Sequence, residues 1–203
     1  MSSESTAVNF NLARYLLGAA DLKQLPADAG VEVAFAGRSN AGKSSALNTL
    51  TNHKSLARVS KTPGRTQLIN LFGLDGERRL VDLPGYGYAQ VSLEVKHRWQ
   101  ATLSKYLLTR QCLKGLVLVM DIRHPLKDTD RQMVQWAAEG NLDLHCLLSK
   151  ADKLSRNEQS KQLAAVQKEL QAFGDRVSVQ AFSSHNGLGL DILKARLNAW
   201  LAP

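Results

Sequence analysis

Cysteine is nearly absent. Cys112 and Cys146 are the only two among 203 residues, and neither has a CxxC or Cys/His partner at metal-ligand spacing. That excludes a disulfide framework and a zinc ribbon. Cys146 sits inside the apolar run LDLHCLL, where a small buried thiol is expected. Long hydrophobic runs are also missing. The longest, Gly115–Met120 and Leu142–Leu148, fall far short of the ~20 residues that span a bilayer, so no membrane insertion is expected. The opening residues MSSESTAVNF contain no basic segment followed by an apolar one, so no secretory leader is expected and the expected location is cytoplasmic. The five histidines are scattered, without an HExxH or HxH pair. No internal repeat or low-complexity tract occurs.

What is present has the proportions of a globular chain: 44% hydrophobic and 22% charged residues. At roughly 150 residues per domain, this length holds one domain with decorations. Twenty-six Lys and Arg against 18 Asp and Glu leave a net charge of +8. Such an excess either aids solubility or favours a polyanionic partner, of which RNA is the most abundant in the cytosol.

Apolar runs alternate with helical stretches. Strands are expected at Val31–Ala36, Gly115–Asp121, Leu142–Leu148 and Val177–Phe182, and a hairpin at Thr66–Leu74 and Arg78–Asp82 around Asp75-Gly76. Helices are expected at Lys43–Thr51, Leu93–Arg110, Lys127–Glu139, Asn157–Phe173 and Asp191–Leu201. This alternation predicts an α/β fold in three layers, a mostly parallel sheet with one antiparallel strand and helices on both faces. Residues 1–28 lie outside the alternation and read as an N-terminal extension with a short helix near Leu12–Gly18; residues 29–203 read as the functional domain. In such sheets ligands bind at the carboxyl ends of strands, which directs attention to the loops after Ala36, Asp82, Leu148 and Phe182.

The first of these loops reads Gly37-Arg38-Ser39-Asn40-Ala41-Gly42-Lys43-Ser44, a complete GxxxxGK[ST] between a strand and a helix. Its glycines let backbone N–H groups curl around phosphate oxygens, and the helix N-terminus adds its dipole. Lys43 should reach the β- and γ-phosphates and the Ser44 hydroxyl should ligate Mg²⁺. Ser149-Lys150-Ala151-Asp152 follows a later strand and is close to the guanine-specifying [NT]KxD. A carboxylate there accepts from guanine N1–H and the N2 amino group, whereas adenine would leave it facing an acceptor at a cost of about 1–3 kcal/mol. Lys150 would lay its stem along the base. Ser149 replaces the usual Asn or Thr, and its hydroxyl can still tie this loop to the phosphate loop. Asp82-Leu83-Pro84-Gly85 is a DxxG after a strand: Asp82 can hold Mg²⁺ through water and the Gly85 N–H can sense the γ-phosphate. Phe182-Ser183-Ser184 would offer N–H groups to guanine O6. Between the first motifs, Gly64, Arg65, Thr66, Gln67 and Leu68 form a second expected nucleotide contact, with Thr66 supplying another hydroxyl to Mg²⁺. Lys43 and Thr66 are the expected catalytic pair.

GRSNAGKS (37–44), SKTPGRTQLIN (60–70), DLPGYGYA (82–89), SKAD (149–152) and FSS (182–184) together resemble the EngB (YihA/YsxC) family of translation-factor-class GTPases, related to Era, EngA and TrmE. The likeness covers nearly the whole chain after about residue 25. It implies a single GTPase domain binding GTP and GDP, Mg²⁺ dependence, a part in assembling the large ribosomal subunit, through its precursor or rRNA, and a link to cell division and septation. A monomer is expected, with no DNA partner. Tyr86 stands where Ras-like enzymes carry the Gln that orients water, so slow intrinsic hydrolysis accelerated by a partner is expected. Asn40 matches the position at which TrmE-like relatives coordinate K⁺; it is equally an ordinary turn residue. Lys54, Arg58, Lys61 and Arg65 in one loop, and Lys96, His97, Arg98, Lys105 and Arg110 around a later helix, flank the nucleotide-sensing segments. They are either a solvated face or a nucleotide-dependent RNA contact. A septin-like division scaffold is the rival reading. A small-molecule kinase is disfavoured, since SKAD and DLPG would have no purpose there.

Overall fold

The computed structural model describes residues 7–57, 68–87 and 92–202. Arg58, Lys61, Gly64, Arg65, Thr66, Gln67 and Tyr88 lie outside the described residues. Seven strands form one sheet: β1 (Arg14–Ala19), β2 (Val31–Gly37), β3 (Ile69–Gly73), β4 (Arg78–Asp82), β5 (Leu113–Asp121), β6 (Asp143–Ser149) and β7 (Val177–Ala181). Their order is β1-β3-β4-β2-β5-β6-β7. Only β3 runs against its neighbours among the described strands; β4, β2, β5, β6 and β7 pair in parallel. Among the described residues, five α-helices complete the fold: α1 (Lys43–Thr51), α2 (Leu93–Thr109), α3 (Asp128–Glu139), α4 (Arg156–Leu170) and α5 (Leu190–Trp200).

The alternation of β2 explains the layering. Val33 and Phe35 pack with Leu47 and Leu50 of α1 and Leu193 and Leu197 of α5. Ala34 and Ala36 face the other way, toward Leu103 of α2, Met133 of α3 and Val166 of α4. A strand buried on both faces carries near-continuous apolar sequence, and VEVAFAG does so apart from one residue. That residue, Glu32, is fully buried at the end of β2 remote from Gly37. Its carboxylate accepts from Arg79 Nε at 2.9 Å, Arg110 Nη2 at 2.8 Å and the Tyr106 hydroxyl at 2.9 Å. Burial alone would raise the Glu32 pKa, but hydrogen bonds and charge, chiefly from Arg110, outweigh it and hold the carboxyl below its usual range. Arg110 also donates to the Pro26 carbonyl at 3.0 Å, so this buried charge fastens the end of α2 to the segment entering β2.

The expected helix near Leu12–Gly18 is instead a strand. A 3₁₀ turn over Phe10–Leu12 leads into β1, which pairs antiparallel with β3 from Arg14↔Gly73 to Ala19↔Ile69. A bulge between Tyr15 and Leu17 breaks the two-residue alternation, so the local pattern carries no strand signal. The open edge of β3 supplies the hydrogen-bonding partners, and long-range pairing overrides local propensity. The first strand of the sheet therefore lies before residue 29, and Phe10 and Ala13 are buried with α1.

Candidate nucleotide-binding site

The parallel strands end together on one edge of the sheet, and the loops leaving β2, β4, β5, β6 and β7 meet there. The turn after β2 depends on close approach: a Cβ on Gly37 would lie 2.7 Å from the Val119 carbonyl oxygen of β5. Two residues of the turn are left-handed, Asn40 at φ 63° and Gly42 at φ 95°. Asn is one of the few side chains that tolerates that region, and Gly adopts it at no steric cost. Gly42 opens α1, with Ala46 N–H donating to its carbonyl at 2.9 Å. This aims the amino end of α1, with Lys43 and Ser44, along the sheet edge, where its free N–H groups and dipole favour an anion.

Asp82 closes β4 beside this turn, and its carboxylate is ion-paired with Lys43 Nζ. Both side chains are largely buried, so each charge depends on the other. The DxxG segment and the residue after it are stitched to β2 and the loop that follows it by backbone bonds: Leu83 N–H donates to the Phe35 carbonyl at 2.9 Å and Ser39 N–H to the Tyr86 carbonyl at 2.8 Å. Leu83 itself turns into the core and Pro84 is buried; Gly85 is half-buried. Tyr86 also points inward: it is 5% exposed, its ring centroid lies 6.2 Å from that of Trp99, and its hydroxyl donates to Asp130 Oδ1 at 2.8 Å.

The loops after β6 and β7 form the other half. The Ser149 hydroxyl donates to the Ala41 carbonyl, the expected tie between base loop and phosphate loop; the same oxygen lies 3.1 Å from the Met120 carbonyl. Lys150 is left-handed at φ 59° and its Nζ donates to the Asn40 carbonyl at 2.6 Å. Ala151 is fully buried, and its N–H donates to the Phe182 carbonyl at 3.0 Å, while Phe182 N–H donates to the Leu148 carbonyl at 2.8 Å. The Ser183 hydroxyl donates to Asp152 Oδ1 at 2.6 Å. That bond is the main reason the Asp152 carboxyl is held below its usual range. Ser184 is half-buried next to it. The structure thus brings the 37–44, 82–85, 149–152 and 182–184 segments to one edge. Leu68, just before β3, packs instead toward Gly18 of β1.

Reading the sequence alone missed Asp121 and Arg123, on the loop after β5, and Asp130 at the start of α3. Asp121 ends a parallel strand at the same sheet edge as Gly37 and Ser149. The rule that selected the other loops would have selected this one too.

Known proteins agree with this geometry. A family profile described as 50S ribosome-binding GTPase matches residues 32–150. A protein of Shewanella amazonensis named "Probable GTP-binding protein EngB" is 58% identical over 202 residues, 98% of this chain and 93% of that protein. Its namesake in Vibrio parahaemolyticus is 54% identical over 199 residues, covering 98% and 91%. The chain belongs to the EngB family. It is accordingly a GTP-binding GTPase. An EngB crystal structure superposes with a TM-score of 0.68 at 23% identity, covering 84% of this chain and 98% of that one. Era of Aquifex aeolicus, bound to GDP and AlF4⁻, superposes with a TM-score of 0.64 at 19% identity over 86% of this chain and 57% of that one. Both are likenesses of fold. No helix among the described residues is long and apolar enough to cross a membrane.

Proposed function

We propose that this GTPase is a Mg²⁺-dependent switch that binds a precursor of the large ribosomal subunit in its GTP state and leaves after hydrolysis. The carrying observation is where α2 begins. It follows the DxxG segment directly, and residues 92–98 of its start are all exposed, including Leu93 at 74%, Val95 at 51%, Lys96, His97 and Arg98. A helix whose first turns present exposed apolar and basic side chains, and which follows a segment expected to sense the γ-phosphate, suits a nucleotide-dependent contact. The net charge of +8 favours RNA as the surface contacted. The description of the family profile, a 50S ribosome-binding GTPase, points to the same particle. A link to division and septation rests on the EngB resemblance. Residues 29–203 would form the GTPase unit, with the preceding segment clasping its sheet edge.

Within the site, Gly37 to Gly42 would cradle the phosphates and Lys43 would leave Asp82 for the β- and γ-oxygens. Asp82, Ser44 and Thr66 supply hard oxygen donors, as Mg²⁺ requires. Among the described residues there is no cluster of three or more His, Cys, Asp or Glu, which fits an ion held by hydroxyl, phosphate and water instead of a protein cage. When bound, Mg²⁺ would neutralise charge on the β- and γ-phosphate oxygens. Gly64, Arg65, Gln67 and Leu68 would accompany Thr66 in the loop that closes on GTP. Asp152 would read guanine N1–H and N2, with the Ser183 and Ser184 loop facing O6.

With Tyr86 turned inward, no side chain of the DxxG segment orients water, and intrinsic hydrolysis should be slow. Charge and alignment would come from the ribosomal particle or from K⁺ at Asn40. The left-handed φ of Asn40 already accounts for an Asn there, so the ion needs its own test: replacing K⁺ by Na⁺ must slow hydrolysis, and Asn40→Ala must abolish the difference. The main experiment is sedimentation through a sucrose gradient with a GTP analogue or GDP. Co-migration with large-subunit particles in the GTP state alone is expected. No co-migration in either state would favour the scaffold reading.

A further inference from the structure

We propose that Asp121 is a positioning residue of the base site, holding the Lys150 ammonium so that the lysine stem lies in place for a purine ring. This rests on the reading of SKAD as the guanine-binding loop.

The Lys150 ammonium is fixed from two sides. One N–H donates to the Asn40 carbonyl at 2.6 Å, and Asp121 Oδ2 lies 3.1 Å away. The carboxylate is itself immobilised by the residue two positions on. Asp121 Oδ1 accepts from Arg123 N–H at 3.0 Å and from Arg123 Nε at 3.0 Å, and Oδ2 accepts from Arg123 Nη2 at 2.7 Å. A forked guanidinium–carboxylate pair fixes orientation as well as charge. Asp121 keeps its negative charge at any ordinary pH: burial opposes ionisation, but the bonds from Arg123 and Lys150 outweigh it. The backbone beneath is equally determined, since Ile122 is fully buried and its N–H donates to the Ser149 carbonyl at 2.9 Å.

A free lysine side chain has several rotatable bonds, and pinning both its ends removes most of that freedom before a ligand arrives. Lys150 starts from a left-handed backbone and ends between Asn40 and Asp121, so its methylenes bridge from the base loop to the phosphate loop. The flat face of a purine is the chemistry that such a braced apolar stem fits. Loss of the brace should therefore weaken every nucleotide that uses Lys150 by one common factor, whatever the phosphate count.

The test is a double-mutant cycle with fluorescent GDP and a fluorescent GTP analogue, read by stopped flow. Wild-type preference for GDP over ADP is measured first; its absence would remove the guanine reading, and this proposal with it. With that preference intact, Asp121→Ala should weaken GDP and the GTP analogue equally, by about 5- to 30-fold, mainly through faster release. Asp121→Asn keeps the size of the side chain and should lose affinity in the same direction, which covers the case of an unstable alanine variant. In a Lys150→Ala background, Asp121→Asn should cost little more, because its target is gone. Asp121→Glu should recover part of the loss. Wild-type affinity in both Asp121→Ala and Asp121→Asn, or a full loss repeated in the Lys150→Ala background, overturns the proposal while leaving the guanine site standing.

Discussion

The Tyr86 hydroxyl donates to Asp130 Oδ1 at 2.8 Å inside the wedge between α2 and α3, which turns the residue after DxxG away from the phosphate loop. Asp130 uses its other oxygen to accept from the Lys127 N–H at 3.0 Å, the cap of α3. Burial raises the Asp130 pKa despite both bonds, and burial with the neighbouring carboxylate pushes the Tyr86 phenol well up, so the phenol stays protonated and donating. Tyr86→Phe should leave the intrinsic hydrolysis rate unchanged. It strips a buried acceptor of its donor, however, and should lower unfolding free energy by about 1–3 kcal/mol. Single-turnover hydrolysis and urea denaturation of the same preparation separate the effects. A Tyr86→Phe protein of full stability that no longer hydrolyses GTP would mean that the phenol positions water.

Ser183 and Asp152 make the next prediction. Asp152 Oδ1 is oriented by the Ser183 hydroxyl at 2.6 Å, and Oδ2 lies 3.4 Å from the exposed Lys153 ammonium, a pairing that a base can displace. Asp152→Asn exchanges an acceptor for a donor. Guanine affinity should fall by about 1–3 kcal/mol and affinity for xanthine nucleotides, which carry oxygen at C2, should rise. Competition against fluorescent GDP measures both. Unchanged selection of guanine over xanthine would remove Asp152 from the base contact.

Ser44 and Thr66 should part company when each hydroxyl is removed. Ser44 belongs to the first turn of α1, and the place proposed for its hydroxyl is common to both nucleotides. Ser44→Ala should therefore weaken GDP and GTP alike in the presence of Mg²⁺. Thr66→Ala should weaken the GTP state selectively, because the role proposed for its loop is to close on the γ-phosphate. Titrating each variant with both nucleotides, with and without Mg²⁺, checks this. Equal losses in the Thr66 variant would take Thr66 out of the metal's coordination shell.

The central parallel strands were legible because they are buried on both faces and read as near-continuous apolar runs, as Val31–Gly37 does apart from Glu32. The four segments that meet at one sheet edge could be picked out because the chemistry expected of them requires particular residues at fixed spacing. β1 was not. Leu16 and Leu17 stand side by side at a bulge, so period carries no information there, and the strand exists because β3 has an open edge, a fact about distant sequence. Asp121 could have been found from its place at the end of a parallel strand, but its pairing was illegible: its partner Lys150 lies across a strand pairing, and no local motif marks that contact. Tyr86 could be placed only as an absence of Gln; its inward turn depends on Asp130, a residue on another helix.

The last prediction concerns acid stability and rests on His145 in β6. Both ring nitrogens are engaged: Nδ1 with the Ser178 hydroxyl at 2.8 Å and Nε2 with Gln180 Oε1 at 2.8 Å. Gln180 Nε2 donates to the Gly189 carbonyl at 2.8 Å, so its Oε1 must face the ring and accept from Nε2–H. That assigns a neutral imidazole whose Nδ1 accepts from Ser178. Burial is the dominant cause that lowers the His145 pKa from 6.5 to about 4; the Gln180 bond opposes it and Arg196 assists it. In the unfolded chain the imidazole takes its proton near pH 6.5, whereas the folded chain resists until about pH 4. The unfolded state thus binds more protons across that window, so stability is full above it and falls as the pH drops through it. Over the whole window the loss should approach about 2–3 kcal/mol. Carboxylates held low, such as Glu32 and Asp28, contribute only below their ordinary range, and raised Asp130 acts in the opposite sense, so the difference between wild type and His145→Gln isolates His145. Urea midpoints should decline from pH 7 to pH 5 in the wild type and stay nearly level in His145→Gln, which starts lower. A flat wild-type profile, or an NMR titration of His145 near pH 6.5, would show that the imidazole is charged in the folded protein and that the Ser178–His145–Gln180 chain is assigned wrongly.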